Sequence, residues 1–129
     1  MIVTTSIPYN RIKKQLKKTD KIGIVSCNGC ARICYTGGEQ KMKELTNNLK
    51  KDGFNVVDTD LIGFPCDIDQ LNKNELHGDM TIVLACDAGV YNLQKIFSSK
   101  KHKIIPGLVT VGLGAIGKKD KISIVKRFK

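Results

Sequence analysis

The sequence predicts one three-layer α/β domain over residues 1–129, in which a small parallel sheet of about four strands has a Rossmann-like or flavodoxin-like winding. Compact segments rich in β-branched residues alternate with amphipathic segments, which is the pattern of strands joined by right-handed helical crossovers. Aromatic residues make up only 5% of the chain and tryptophan is absent, so the core must be mostly aliphatic. Such a core is typical of a parallel sheet that is buried on both faces.

The first half of the chain predicts a helix, a strand and a second helix. An N-terminal helix is expected within residues 1–20, because a proline suits a first helical turn and apolar residues follow it at gaps of three and four. The β-branched run at 21–27 predicts a buried strand. Thr36 and Glu39 have the spacing of a capping box, which predicts a helix over about 37–51.

The second half predicts three more strands and a loose end. The expected elements are strands at 54–62, 80–86 and 103–109, a short helix near 69–74 and a helix at 89–99. Pro106 fits an edge strand, because proline cannot donate to a central ladder. Residues 117–129 are expected to form a basic tail, loose up to its last apolar run.

The compartment decides how the five cysteines are interpreted. The N-terminal residues lack the charged start, apolar middle and cleavage site of a signal peptide, and no apolar stretch approaches the roughly 20 residues that cross a bilayer. We therefore expect a cytoplasmic protein without membrane insertion. Because the cytosol is reducing and five is an odd number, disulfide bonds explain the cysteines poorly. Metal binding or redox chemistry explains them better.

The formal net charge of +10 indicates an acidic partner, a nucleic acid or a solvated surface. The lysines are spread along the chain and are not interleaved with aromatic residues, as a face that binds single strands would need. Nucleic acid is therefore not favoured, and a negatively charged partner subunit explains the charge at least as well.

The predicted topology brings the cysteines to one edge of the sheet. Cys27 ends the first strand, Cys66 follows the second strand after a short break, and Cys86 ends the third. Cys30 and Cys34 belong to the loop that leaves the first strand. Because parallel strands all end at the same edge, where open α/β folds bind their ligands, we expect the five thiols to converge there.

The spacing Cys27-x-x-Cys30-x-x-x-Cys34 is typical of a metal or cluster site. A fourth thiolate must come from elsewhere, and Cys66 or Cys86 can supply it. Four thiolates suit a [4Fe–4S] cluster, which we favour, or a tetrahedral zinc ion as the alternative. A thioredoxin-like redox pair at Cys27 and Cys30 and inert core thiols stay as minor alternatives.

Residues 27–39, CNGCARICYTGGE, resemble the small subunit of the two-subunit methylenetetrahydrofolate reductase of acetogenic bacteria. The similarity continues through Cys66, residues 85–90 and residues 105–108. In that family a flavin-bearing barrel subunit reduces the folate. The small subunit carries cysteine-bound metal centres and joins the flavin subunit to an electron donor.

The resemblance implies a non-catalytic iron–sulfur subunit in one-carbon metabolism whose candidate ligands are Cys27, Cys30, Cys34, Cys66 and Cys86. It also implies two partners, a flavin-bearing reductase subunit and an electron-donor protein. Family members usually have a second cysteine-rich region where this chain has the cysteine-free residues 118–129, so we expect any second centre to lie on another chain. A structural zinc module for protein interaction and a stand-alone cluster enzyme are the alternative functions.

Overall fold

The computed structural model describes residues 1–71, 78–97 and 102–128 of the protein. Within these residues the strands are β1 (Ile2–Ser6), β2 (Lys21–Cys27), β3 (Asn55–Ile62), β4 (Met80–Leu84), β5 (Lys103–Pro106), β6 (Leu108–Ile116) and β7 (Ile122–Arg127). The helices are α1 (Tyr9–Lys13), α2 (Cys30–Ile33), α3 (Gly38–Lys51) and α4 (Asp87–Ile96), with 3₁₀ turns at Ile68–Gln70 and Lys118–Asp120.

A four-stranded parallel sheet in the order β3-β2-β4-β5 forms the centre of the protein. β2 is paired on both sides, so that Ile24 lies opposite Thr59 of β3 and opposite Ile82 of β4. Ile24 and Ile82 are completely buried. Burial on both faces explains why β2 and β4 are continuous apolar runs without alternation. The predicted α/β class and the parallel sheet of four strands are therefore confirmed.

Two helices pack on this sheet with apolar faces. α3 contacts β2 and β3, and its buried residues Met42, Leu45 and Leu49 recur at gaps of three and four. α4 contacts β5 and buries Val90 and Leu93. Among the described residues, no helix combines the length and the apolar character that crossing a bilayer requires.

The chain reverses its direction of travel across the sheet at β2. It leaves β2 for β3 on one side, and then crosses to β4 on the other side. In open α/β sheets a crevice forms at the carboxyl ends of the strands where such a reversal occurs. The carboxyl ends of β2 and β4 therefore mark the expected position of a site.

A second sheet, antiparallel and in the order β1-β6-β7, was not predicted. The helix expected within residues 1–20 is present after Pro8 but is only five residues long, and the β-branched segment 2–6 before it forms β1, which pairs with β6. The part of the basic tail before its last apolar run was expected to be loose but forms a 3₁₀ turn closed by a hydrogen bond from the Gly117 amide to the Lys121 oxygen, and the apolar run forms β7, which pairs with β6. β1 pairs with a segment that is distant in the chain, and β7 pairs across a hairpin. Local periodicity reveals neither pairing.

The predicted strand at 103–109 is divided between the two sheets. β5 ends at Pro106 on the edge of the parallel sheet, as proline at that position predicts, and β6 begins two residues later in the antiparallel sheet. Gly107 joins them, and its amide donates a hydrogen bond of 2.8 Å to the carbonyl oxygen of Val83. An added Cβ on Gly107 would meet Leu84 Cδ2 at 2.7 Å and the carbonyl oxygen of Val83 at 3.3 Å, so a larger residue here would force the Leu84 side chain to shift.

The remaining differences concern the ends of elements. The predicted capping box is wrong, because α3 is preceded by Gly37 without a side-chain cap, while Glu39 pairs with Lys43 at 2.8 Å. Thr36 instead bonds elsewhere in the core. α4 begins earlier than expected, and residues 98–101 at the end of the predicted helix lie outside the described residues. Of the helix expected near 69–74 the structure describes one 3₁₀ turn, and residues 72–77 lie outside the described part.

Candidate functional site

The five cysteines lie where strands of the parallel sheet end, and we call this region the cysteine edge. Cys27 is the last residue of β2, and Cys30 and Cys34 open and follow the short helix α2. Cys86 immediately precedes α4, shortly after the end of β4. Cys66 lies in the loop after β3. All five are free thiols, which range from buried Cys27 to exposed Cys66.

The loop after β2 is held against the loop after β3. The Gly29 amide donates a hydrogen bond of 3.3 Å to the sulfur of Cys27, and this sulfur lies 3.9 Å from the carbonyl oxygen of Gly63. The ring of Phe64 lies against Gly29, where an added Cβ would meet the ring at 2.8 Å. Glycine at position 29 therefore allows the two cysteine-bearing loops to approach closely.

The loop after β3 is also docked on the first turns of α4. Pro65 is fully buried, and an added Cβ on Gly89 would meet the Cβ of Pro65 at 3.1 Å. The side-chain amide of Asn92 donates a hydrogen bond of 3.1 Å to the carbonyl oxygen of Pro65. These contacts bring the loop that carries Cys66 to the end of α4 that follows Cys86.

The thiol of Cys66 is affected by other cysteines of this edge. Although the residue as a whole is exposed, desolvation raises the pKa of the Cys66 thiol, and the thiols of Cys86, Cys27 and Cys30 raise it further. The cause is repulsion, because a thiolate forms less readily beside other groups that can become negative. The Cys66 thiol is therefore within electrostatic range of cysteines that follow β2 and β4. A cation bound here would remove this repulsion and favour the thiolate form of Cys66.

Cys34 is placed differently from the other four. Its thiol lies 3.7 Å from the carbonyl oxygen of Ile2 in β1, as a weak donor to that oxygen. It does not contribute to the shifted pKa of Cys66. The next residue, Tyr35, has a left-handed backbone with φ of 59° and an exposed side chain. Cys34 therefore faces the junction between the two sheets.

The thiols are neighbours without forming a closed ligand set. Within residues 1–71, 78–97 and 102–128, no group of three or more histidine, cysteine or acidic side chains is arranged to hold a metal ion. The donors nevertheless suit thiophilic metals in their chemistry, since thiolates are soft ligands and all five cysteines lie at one edge of the sheet. His102 belongs to the structural core, because its Nε2 lies 2.6 Å from Thr81 Oγ1 and its ring stacks on Phe97 at 4.3 Å between centroids.

A cleft of about 1000 Å³ lies beside the cysteine edge. Its walls include α2, the start of α3 and the ends of β3 and β6, with Arg32, Lys41 and Lys43 as its basic residues. The Nε of Arg32 donates a hydrogen bond of 3.1 Å to the carbonyl oxygen of Asn28. The cleft is open and has both polar and apolar walls, and Ile116 brings the second sheet to its rim.

The sequence predicted which cysteines are candidates but missed the residues that arrange them. Pro65, Gly89 and Asn92 join the loop of Cys66 to α4, and Ile2 receives the thiol of Cys34. Pro65 directly precedes Cys66 in the sequence, but no local sequence pattern marks Gly89 and Asn92 of α4 as the residues that Pro65 contacts. Their contribution depends on a contact between segments 27 positions apart.

Together these features define a mixed α/β protein with a cluster of thiols at the carboxyl edge of a parallel sheet. No protein-family model, curated protein or solved structure matches the chain.

Proposed function

We propose that this protein is an iron–sulfur subunit that serves a flavin-dependent reductase of the methylenetetrahydrofolate reductase type. The observation that carries the proposal is the placement of Cys27, Cys30, Cys66 and Cys86 after three neighbouring strands of the parallel sheet, at their carboxyl ends. Four cysteine thiolates are the donor set of cubane clusters. The cysteine spacing and the family resemblance of residues 27–39 support the same class.

Cys27, Cys30, Cys66 and Cys86 are the proposed ligands. Cys34 is the fifth candidate, and its thiol is directed at the Ile2 carbonyl. When bound, an iron–sulfur cluster supplies one-electron transfer. The protein's own part is to hold the thiols in place, through the packing of Pro65 on α4 and the hydrogen bond from the Gly29 amide to Cys27. An amide that donates to a ligand sulfur stabilises its thiolate form.

We further propose that the parallel sheet has the winding of flavodoxin-like folds. Within this sheet β2 is the first strand along the chain, β3 the second, β4 the third and β5 the fourth. The spatial order β3-β2-β4-β5 is therefore second, first, third, fourth. Flavodoxin-like sheets have this order at their start, and they bind their cofactor at the reversal point between the first and third strands. In this chain those strands are β2 and β4, which lead to Cys27 and Cys86.

The proposed partners are a flavin-bearing reductase subunit and an electron-donor protein, all in the cytoplasm. This chain would be non-catalytic, because folate reduction requires hydride from a flavin or nicotinamide. A net charge of +10 supports encounter with an acidic partner, and the attraction would weaken as salt rises. Co-purification with a flavoprotein from the native cell at low salt, and its loss at high salt, tests this part.

Structural zinc is the second candidate, because four thiols also complete a closed tetrahedral zinc site. In that case the metal would stabilise the two cysteine loops and shape a surface for protein interaction. Zinc would carry no electron, so the two functions differ in whether the site changes oxidation state. A stand-alone cluster enzyme is the remaining alternative.

The deciding experiment is metal analysis of protein produced with ample iron and purified without oxygen. We expect iron and acid-labile sulfide, with visible absorption that bleaches on reduction. Stoichiometric zinc without iron would falsify the cluster and favour the structural site. Serine variants then identify the ligands: Cys27, Cys30, Cys66 and Cys86 variants should each lose the metal. Cys34→Ser is the matched control that should retain it. Loss of metal from Cys34→Ser, or full metal content in any of the other four variants, would contradict the ligand set.

A further inference from the structure

β7 has an unpaired edge in the antiparallel sheet. It is the last strand of the order β1-β6-β7 and pairs only with β6 within the described residues. Two hydrogen bonds anchor this pairing, from the amide of Phe128 to the oxygen of Val111 and from the amide of Gly117 to the oxygen of Lys121. β7 is therefore held firmly on one side and can accept a further strand on the other.

The alternation of an antiparallel ladder shows which backbone groups face outward. Between the two anchoring bonds, residues of β7 alternate between those whose backbone groups bond to β6 and those whose backbone groups point away from it. The register shift between Leu113 and Gly114 accommodates one extra residue in β7. Counting from both ends, the amides and carbonyls of Ile122, Ile124 and Arg127 point away from β6. These are the groups that an added strand would bind.

The side chains around this edge are apolar and uncovered. Val125 is 64% exposed, Phe128 is 47% exposed and Ile124 is 38% exposed. Leu113 of the neighbouring strand is exposed as well. Edge strands are usually short, charged, interrupted by proline or covered. β7 has six residues without proline, and its charged residues, Lys126 and Arg127, lie together at its end. Apolar side chains beside free backbone groups are what strand addition by a partner requires.

The charge of the segment decides what kind of strand would bind. Residues 117–129 contain six basic residues and one acidic residue, so they carry +5 of the total +10. None of the ion pairs among the described residues involves this segment. An acidic strand would therefore gain both backbone hydrogen bonds and charge complementarity.

A second copy of the chain fits this edge poorly. If two β7 strands paired in antiparallel fashion about their centre, Lys126 and Arg127 of one copy would approach the turn that precedes β7 in the other. That turn contains Lys118, Lys119 and Lys121. Like charges that face each other across strands are destabilising.

We propose that the outer edge of β7 binds an extended acidic segment of a partner protein as an additional strand. The site is separate from the cysteine edge and does not depend on whether the cysteines hold a metal. Recognition comes from the backbone groups of Ile122, Ile124 and Arg127 and from the cations at both ends of the strand.

The test uses the full-length protein and two synthetic peptides of twelve residues. One alternates valine or threonine with glutamate, and the other has lysine in place of every glutamate. Fluorescence anisotropy measures binding, and amide hydrogen exchange measures protection at Ile122, Ile124 and Arg127. We expect the glutamate peptide to bind and to protect these amides, and the lysine peptide to bind at least about tenfold more weakly.

Two variants probe the edge directly. Ile124→Pro removes an outward amide without removing a bond to β6, and should weaken the glutamate peptide about tenfold or more. The double variant Lys126→Glu/Arg127→Glu should weaken it similarly. The control Lys14→Glu/Lys17→Glu, at exposed positions after α1, makes the same change in net charge and should leave binding within about twofold.

Several outcomes would overturn the proposal. Equal binding of both peptides, or failure of the glutamate peptide to bind, excludes an acidic strand. Unchanged binding by folded Ile124→Pro excludes the backbone edge. A dimer at low salt that Ile124→Pro returns to monomer would assign the edge to a second copy. If Ile124→Pro fails to fold, the charge variants and the hydrogen exchange of the original protein decide.

Discussion

The side chain of Asn92 in α4 donates a hydrogen bond of 3.1 Å to the carbonyl oxygen of Pro65, and this bond ties the loop of Cys66 to the helix that follows Cys86. The bond accompanies the burial of Pro65 against Gly89. Two cysteines that are 20 positions apart in the chain are therefore brought to one edge by contacts that involve neither thiol.

Asn92→Ala should lower the free energy of unfolding by about 1 kcal/mol, because one partly buried hydrogen bond is lost. It should also lower metal affinity by about tenfold, since the loop of Cys66 is less well held. Chemical denaturation and competition with a chelator measure the two effects. Gln94→Ala changes an exposed residue of the same helix and should alter neither quantity. If Asn92→Ala lowers the free energy of unfolding but leaves the metal affinity unchanged, the hold on the Cys66 loop does not affect metal binding.

The buried hydroxyl groups of Thr4 and Thr36 lie 2.7 Å apart and join β1 to the turn before α3. Thr4→Val should cost about 1 kcal/mol, because it removes this bond while keeping the β-branched shape. Thr36 retains a bond of 3.2 Å to the carbonyl oxygen of Ala31. Thermal or denaturant unfolding measures the loss, and Thr5→Val, at the neighbouring exposed position, should be close to neutral. Equal effects of both variants would show that this bond does not stabilise the contact between β1 and the turn before α3.

Gly37 allows a close crossing at the carboxyl ends of β2 and β4. An added Cβ there would meet Ala31 Cβ at 2.7 Å and the carbonyl oxygens of Cys27 and Leu84 at 3.1 Å each. Backbone atoms cannot move aside easily, so Gly37→Ala should destabilise the protein by about 2 kcal/mol.

Gly117→Ala is the matched control, because its nearest neighbour would be the oxygen of Lys121 at 3.7 Å, an ordinary contact. Denaturant midpoints of the two variants should therefore differ clearly. If Gly37→Ala leaves the stability unchanged, the turn before α3 must shift to make room for the added Cβ.

The Tyr9–Asp52 pair makes stability depend on pH at both ends of the scale. The hydroxyl of Tyr9 donates a bond of 2.6 Å to Asp52 Oδ2. Burial and then the bond and charge of Asp52 raise the pKa of Tyr9 from 10.0 to about 12. The bond from Tyr9, and then the charge of Lys13, lower the pKa of Asp52 below its ordinary value of 3.8, against an opposing effect of burial.

The signs of the two shifts are opposite. The raised pKa of Tyr9 stabilises the fold fully below pH 10, and this contribution disappears as the pH rises from 10.0 to about 12. The lowered pKa of Asp52 stabilises the fold above pH 3.8, and this contribution disappears as the pH falls below that value.

Tyr9→Phe should remove the alkaline component and reduce the acid one, because Asp52 then titrates closer to its ordinary pKa. Denaturant midpoints across the pH range and carbon-13 NMR of the Asp52 carboxyl measure both effects. Tyr91→Phe, at a position that is 63% exposed, should leave the pH profile unchanged. If the Asp52 carboxyl titrates identically in the original protein and in Tyr9→Phe, the hydrogen bond does not set its pKa.

The sequence by itself determined the parallel sheet and the position of the cysteines along it. Residues 21–27 and 80–84 are apolar without alternation, and the amphipathic helix α3 between β2 and β3 leaves a parallel crossover as the favourable connection. Since parallel strands end at one edge, the placement of Cys27 and Cys86 after β2 and β4 was already contained in the order of elements.

Tertiary structure alone decided the antiparallel sheet and the division among the cysteines. Strand β1 is a short β-branched segment whose partner in β6 lies more than 100 residues away, and segments of this kind take their structure from the strand they pair with. The same sheet brings Ile2 to Cys34, while Pro65 and Asn92 bring Cys66 toward Cys86. Spacing shows that five thiols share an edge, but which of them become neighbours depends on packing between segments that are distant in the chain.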